Sequence, residues 1–402
     1  MRTLLTMPPR SIVLAGMASL TLAACDFTVT NPGPLLDDQL NAPSAMPALV
    51  NGMGGDLSNA IGNYLTRGSL AAREVNHSGN FAAERQFATG VIRPEDVNGD
   101  WARMHTARWV AENGLVRMKA VLGAGFETNP LTVRAYLYAG FANRFLGENV
   151  CETTIDGGPR VPNTEHFVRA ESLFTRALTL ARALNNTTLA NAALAGRAQV
   201  LAWQGKWDAA VADAALVPAT FRHNAIYSTN TVRENLDLAT QTINRREVTV
   251  FNTVWVADRD TRVPYDTVRT ASGGFQTGQD GTTRFFRQRK YLTLGDPVAL
   301  ARGTEMLLIR AEAALRNNDV SAVMTLINQG RAVASLPALT ATTVDQAWTI
   351  LMRERGAVLW LEGRRLWDLR RWLATGRNTT LQGRSTCVPI SLEEIGANSN
   401  LR

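Results

Sequence analysis

From about residue 100 to residue 217, apolar and small side chains return every three or four positions, with Gly or Pro interrupting them at short intervals. This spacing puts an apolar stripe on each of a series of helices, and each stripe must be buried against a neighbour. Trp101, His105, Trp109, Glu112 and Val116 mark a helix ending near Gly123. A second is expected over about 131–146, stopped by Gly147, and a third over about 168–184 with Ala170, Leu173, Ala177, Leu180 and Leu184 on one face. A fourth covers about 189–203 and breaks at Gly205; a fifth runs from Trp207 to Ala215 and stops before Pro218.

The fourth and fifth helices carry small residues at positions typical of tetratricopeptide (TPR) repeats. Ala193, Arg197, Leu201, Gly205, Trp207, Ala210 and Ala214 fit: small side chains let paired helices approach, and Gly makes the turn. Glu312-Ala-Ala-Leu315, followed by Val320, Val323 and Leu326, predicts another such pair. The expected fold class is mainly α, a TPR-like helical-repeat scaffold. Its stacked faces account for the 45% hydrophobic content without a separate enzyme core.

Two stretches break the rhythm. Over 218–296, β-branched and turn residues dominate, as in Glu247-Val-Thr-Val-Phe251, Val254-Trp255-Val256, Gly273-Gly274-Phe275 and Gly278-Gln-Asp-Gly281. These predict a loop- and short-strand-rich insertion between helical halves. Residues 64–99 have the same loop-rich character. The expected organisation is therefore a tether and first helix over 25–63, a loop region over 64–99, helices over 100–217, the insertion over 218–296, and C-terminal helices with a tail over 297–402. Loops on a rigid scaffold are where binding surfaces usually lie.

The N-terminus has basic residues up to Arg10, an apolar run from Ile12 to Ala24, then Cys25. That order reads as a secretory signal. Leu22-Ala23-Ala24-Cys25 also matches the bacterial lipobox, so residues 1–24 are expected to be removed and Cys25 lipidated, anchoring the chain to a membrane. The Pro-rich stretch 26–38 would be an extended tether. No run of 18 or more apolar residues occurs elsewhere. Past a secretory signal, the two remaining cysteines, Cys151 and Cys387, suggest one disulfide, the alternative being two buried thiols.

The formal charge of +7 comes almost wholly from arginine, since only three of the 42 basic residues are lysines. The arginines are scattered among acids rather than clustered, which argues against a nucleic-acid partner.

Four pieces of the C-terminal third carry a family likeness. Glu305-Met-Leu-Leu-Ile-Arg-Ala-Glu-Ala-Ala-Leu315 matches an "E-x-L-L-I-x-A-E-A" helix, and Asn328-Gln-Gly-Arg331 an "I-N-x-x-R" stretch. Residues 350–372 match "I-x-x-E-R-x-x-E-L-x-x-E-G-x-R-x-x-D-L-x-R-W", with Val358 where Glu is usual. The tail from Val388 to Leu401 matches "P-I-P-x-x-E-I-x-x-N-P-N-L", with Ser391 and Ser399 in place of prolines. Upstream, Trp101 to Asn113 resembles "W-x-x-x-Y-x-x-I-x-x-A-N", with His105 at the Tyr position. In these features the chain resembles the SusD/RagB family of outer-membrane nutrient-uptake lipoproteins. The resemblance implies a surface-exposed, lipid-anchored protein of the outer membrane that captures an oligosaccharide or similar nutrient without catalysis. Its partner would be a SusC-like TonB-dependent transporter.

Read from its residues, 350–372 is a charged amphipathic helix in which Arg364 can pair with Asp368, and Asp368 with Arg371. Glu354, Glu362 and Asp368, amid six arginines, are expected to form a structural ion-pair network rather than a set of catalytic acids. His77, His105, His166 and His223 lie far apart with no metal-ligand spacing, and no P-loop, Rossmann fingerprint or Gly-x-Ser-x-Gly elbow occurs. No metal, cofactor or catalytic residue is therefore assigned. Ligand contacts are expected from the two loop regions: His77, Asn80, Phe81 and Arg85 from the first, and Trp255, Tyr265 and Phe275 from the second. Two other readings compete. One is a TPR scaffold lipoprotein serving envelope-protein assembly; the other is a periplasmic glycosidase.

Overall fold

The computed structural model describes residues 38–402; Cys25 and the tether over 26–37 lie outside them. A 3-10 turn at Asp38–Asn41 comes before a compact unit of residues 42–402. That unit opens with helix α1 (Met46–Ala71), followed by strand β1 (Asn76–His77) and helix α2 (Ala82–Thr89). Five helices follow: α3 (Asn98–Leu122), α4 (Pro130–Asn149), α5 (Glu165–Ala183), α6 (Thr187–Trp203) and α7 (Trp207–Ala215). A small ribbon of β2 (Glu152–Thr153) and β3 (Val161–Pro162) separates α4 from α5. Among the described residues no helix is long and apolar enough to cross a membrane.

From α3 to α7 each helix packs on the next in sequence, as the periodicity predicts. Ala193, Leu201, Ala210 and Ala214 are buried where α6 meets α7. Gly205 turns the chain between them in a left-handed conformation (φ 77°). Arg197 reaches across to grip Asp213 with two hydrogen bonds of 2.6 and 2.8 Å. The second expected pair is also present: α10 (Gly303–Arg316) packs on α11 (Val320–Val333).

Between α7 and α10 lie β4 (Arg222–Ala225), α8 (Asp237–Ala239), β5 (Val248–Thr249), α9 (Val254–Asp258), β6 (Tyr265–Thr267), β7 (Phe286–Gln288) and β8 (Val298–Arg302). The first and last strands pair with each other, antiparallel, with a bulge between His223 and Asn224. The insertion therefore leaves and rejoins the helical stack at one place, and α10 packs directly on α7.

Three expectations need correcting. The 64–99 region is not all loop, because α1 continues to Ala71 and α2 occupies Ala82–Thr89. Burial of Tyr64, Leu65, Leu70 and Ala71 holds the last turns of α1 in place despite Gly68. Val254-Trp255-Val256 is a helical turn rather than a strand, since the need to bury Trp255 outweighs β propensity. Finally, 350–372 is two helices, α12 (Val344–Val358) and α13 (Arg365–Ala374). They are separated by a bend in which Leu361 adopts a left-handed backbone (φ 54°).

That bend rearranges the expected ion pairs. Asp368 does pair with Arg371 (2.8 Å), but its second partner is Arg355 of α12 (2.8 Å). Arg364 instead lies 2.9 Å from both Glu148 and Glu305. Glu354 takes Arg331 and Arg262, each at 2.6 Å, while Glu362 takes Lys290 at 2.7 Å as well as Arg302. All three carboxylates are thus buried and engaged: Glu354 and Glu362 tie α12 and the bend to the insertion and α11, Asp368 ties α12 to α13, and Arg364 reaches α4 and α10.

Cys151 and Cys387 form a disulfide with Cα atoms 5.0 Å apart across 236 residues. It sits beside a short parallel bridge between Val150 and Val388, in which the Cys151 N–H donates to the Val388 carbonyl (2.8 Å). The tail that follows, including α14 (Leu392–Ala397), is held on the 151–158 loop. Thr154 donates to Glu394 (2.7 Å), and the Asn398 amide donates to the Gly158 carbonyl (2.9 Å).

Candidate functional site

The two loop regions are sewn to each other. Strand β1 pairs antiparallel with β5, placing Asn76 opposite Thr249 and His77 opposite Val248. The chain after β1 keeps this contact: the Ser78 N–H donates to the Glu247 carbonyl (2.9 Å), and the Ser78 hydroxyl to the Arg246 carbonyl (2.9 Å). The Asn80 N–H donates to the Glu247 carboxylate (2.9 Å), and the Asn80 amide to the Gln279 carbonyl (3.2 Å). Such closeness needs glycine on both sides. A Cβ at Gly79 would overlap the Glu247 carboxylate and press on its Cα at 2.9 Å. A Cβ at Gly278 would overlap Ser78.

Against this seam lies a cleft of about 710 Å³. Its walls come from β1 (Asn76, His77), from α2 (Arg85) and from the insertion (Phe251, Asn252, Thr282, Thr283, Arg284). Asn76 fixes the floor by donating to the carbonyls of Phe251 (2.9 Å) and Asn252 (3.0 Å). Behind it, Phe286 gathers the rings of Phe251 (5.1 Å), Phe275 (5.6 Å) and Tyr265 (5.9 Å, stacked). Arg284 lies over two of those rings, 4.6 Å from the centre of Phe275 and 5.6 Å from that of Phe251. Arg269 covers Phe275 as well, at 3.8 Å.

The imidazole of His77 is half-buried, and its Nε2 has no hydrogen-bond partner. Burial, and after it the nearby Arg85, hold its pKa below the usual histidine value, which keeps the ring neutral near pH 7. No Asp or Glu lines the cleft. Among the described residues, no cluster of His, Cys, Asp and Glu is arranged to hold a metal ion.

The expected ligand residues divide as follows. His77 and Arg85 line the cleft. Asn80 braces the seam beside it. Phe81 is 37% exposed but belongs to a neighbouring depression, with Arg245 4.5 Å over its ring. Tyr265 is half-buried behind Phe286, where its hydroxyl donates to the Val256 carbonyl (3.3 Å). Phe275 is half-buried under Arg284 and Arg269. Trp255 is corrected outright: at 1% exposure it is core, packed near Arg365 (5.3 Å) and over Gly356, and no ligand can reach it. Sequence reasoning missed Arg284, Phe251 and Asn252, which come from segments without periodicity; the Glu247–Phe251 strand was the available clue.

The description "SusD family" fits residues 270–400, which cover the C-terminal helices, the disulfide's second cysteine and the tail. Solved structures of that superfamily share the fold along almost the whole chain. One, from Bacteroides thetaiotaomicron VPI-5482, has a TM-score of 0.69 at 14% identity, covering 90% of this chain and 98% of its own. A SusD-like protein from Bacteroides fragilis NCTC 9343 has a TM-score of 0.66 at 14% identity, covering 92% and 98%. The likeness to the SusD family thus rests on a sequence match over about a third of the chain and on a fold shared over about nine-tenths of it. A further SusD-like structure, described as laminarin-binding, has a TM-score of 0.59 at 13% identity, covering 88% and 97%. No curated protein sequence matches. At such identities the likeness among SusD-type proteins is one of fold, so ligand and partner must be argued from this chain's own residues.

Proposed function

We propose that this protein is a SusD-type, non-catalytic outer-membrane lipoprotein, anchored through Cys25, that holds an oligosaccharide or similar nutrient in the cleft between β1–α2 and the insertion. It then delivers that ligand to a SusC-like TonB-dependent transporter. The observation that carries this reading is the seam: segments about 170 residues apart are locked together by backbone hydrogen bonds and side-chain-free glycine contacts to build one cleft. Its walls combine a ring face at Phe251 with fixed polar donors and acceptors, the pairing that recognises sugar rings and hydroxyls. The laminarin-binding relative adds support for a glycan. A cleft without carboxylates lacks the two facing acids a glycosidase uses, which favours binding without hydrolysis.

Incubating the mature protein with a glycan array and then analysing the glycans tests the binding reading. Binding with intact glycans is expected, and release of shorter products would overturn it. For the partner, a pull-down from native membranes should recover a TonB-dependent barrel. Recovery of an envelope-assembly machine instead would favour the TPR-scaffold reading. Replacing Cys25 with Ala should shift the protein from the membrane to the soluble fraction.

A further inference from the structure

We infer that the ligand of this cleft is an acidic saccharide, one bearing carboxylate or sulfate groups; the inference rests on the binding role proposed above. Two guanidiniums, Arg85 and Arg284, stand in the lining, both exposed, and neither makes an ion pair among the described residues. Elsewhere the fold treats its arginines differently. Arg355, Arg364, Arg371, Arg262 and Arg197 are each committed to carboxylates. Other cavities of the molecule also carry their own acids, Glu312 in one, Asp100 in a second, Asp156 in a third and Glu234 in a fourth.

The carboxylates nearest the cleft are already engaged. Asp280 accepts from the N–H groups of Thr282 and Thr283 (2.9 Å each) and from the Thr283 hydroxyl (2.6 Å). Glu247 accepts from the Asn80 N–H (2.9 Å) and from Arg245 (3.4 Å), and Glu84 from Arg67 (3.2 Å). Arg284 is steadied by ring faces instead of a counter-charge, so its N–H edge stays available. A guanidinium fork matches the two oxygens of a carboxylate or a sulfate ester. A neutral glycan would have to cover two unpaired charges and strip their water without replacing it, which is unfavourable. An acidic glycan supplies the missing charge, while Asn252 and the Thr282 side chain remain for its hydroxyls.

The test is calorimetric titration of the mature protein with three probes: an oligogalacturonate (carboxylate only), a carrageenan oligosaccharide (sulfate only) and a laminarin oligosaccharide (neutral). One acidic probe should bind about tenfold or more tighter than the neutral one and weaken as salt is raised. Which acidic probe wins identifies the group. Arg85→Gln and Arg284→Gln, whose melting temperatures should match the parent because both positions are exposed, should each weaken the acidic probe about tenfold and the neutral probe much less. If the neutral probe binds as tightly as the acidic ones, or if the variants weaken both alike, the inference fails while the binding role stands. If no saccharide binds at all, the binding role fails with it.

Discussion

The guanidinium of Arg284 sits 4.6 Å from the centre of the Phe275 ring. Ring and cation are brought together by a loop ladder in which Thr277 bridges to Arg284 and the Phe285 N–H donates to the Gln276 carbonyl (2.8 Å). Phe275→Ala should therefore free Arg284 to sample other rotamers. Ligand affinity is expected to fall several-fold, consistent with about 0.5–1 kcal/mol for an exposed cation–π contact, measured by titration. An unchanged affinity would show that the ring does not hold the arginine.

Gly79→Ala tests the seam itself. The added methyl meets both the side chain and the backbone of Glu247, which is buried and cannot swing away. A loss of about 1–3 kcal/mol is expected in chemical denaturation, together with loss of ligand binding. Alanine at Gly55, whose Cβ would point into open space, is the control and should leave binding intact.

Serine at both Cys151 and Cys387 removes a crosslink spanning 236 residues. A destabilisation of about 2–5 kcal/mol is expected by denaturant titration. Hydrogen exchange should accelerate first over 388–401, because that segment is fastened to the rest mainly around the bridge.

Asp368→Asn leaves Arg355, a side chain with no solvent exposure, without its nearest counter-charge. Breaking one half of a buried pair costs about 3–5 kcal/mol, so a marked fall in melting temperature is expected. The same variant should bind ligand normally once folded, since no member of the network lines the cleft. Weakened binding in folded Asp368→Asn protein would argue that these carboxylates do more than brace helices.

Glu74 supplies a pH dependence with a definite sign. It is fully buried, accepting hydrogen bonds from the Leu361 N–H (3.0 Å) and the Ser69 hydroxyl (3.2 Å), and burial pushes its pKa from 4.5 up to about 7. A raised carboxyl pKa stabilises the fold fully below the unfolded value of 4.5 and progressively less as pH climbs through 7. Glu74→Gln stays neutral throughout. Its melting temperature relative to the parent should therefore rise between pH 5 and pH 7.5; a constant difference across that range would contradict the assignment.

Much of the frame could be read from sequence, and the reason is periodicity. Ala193, Leu201, Ala210 and Ala214 have positions fixed by the 3.6-residue turn, and burial of their helix faces enforces it. The charge-rich 350–372 run was legible as an ion-pair network, yet the partners of Arg364 were not. They come from helices about 60 and 216 residues away, and the bend at Leu361 depends on long-range packing. In the cleft, His77 and Arg85 were reachable because they lie on a compact polar stretch. Arg284 and Phe251 emerge only when β1 and β5 pair. Trp255 misled for a simple physical reason: an aromatic among β-branched neighbours reads equally well as a platform or as core, and only burial separates the two.

The bridge between Cys151 and Cys387 also governs what happens when the chain is cut. The whole insertion, including the exposed stretch 271–274, lies inside the covalent ring that this bond closes. A protease that nicks any one peptide bond between 152 and 386 therefore produces a molecule with an extra pair of ends but no separate fragment. Under non-reducing electrophoresis the nicked protein should migrate as one band, and with reductant as two. Such a clip would not detach one wall of the cleft from the other.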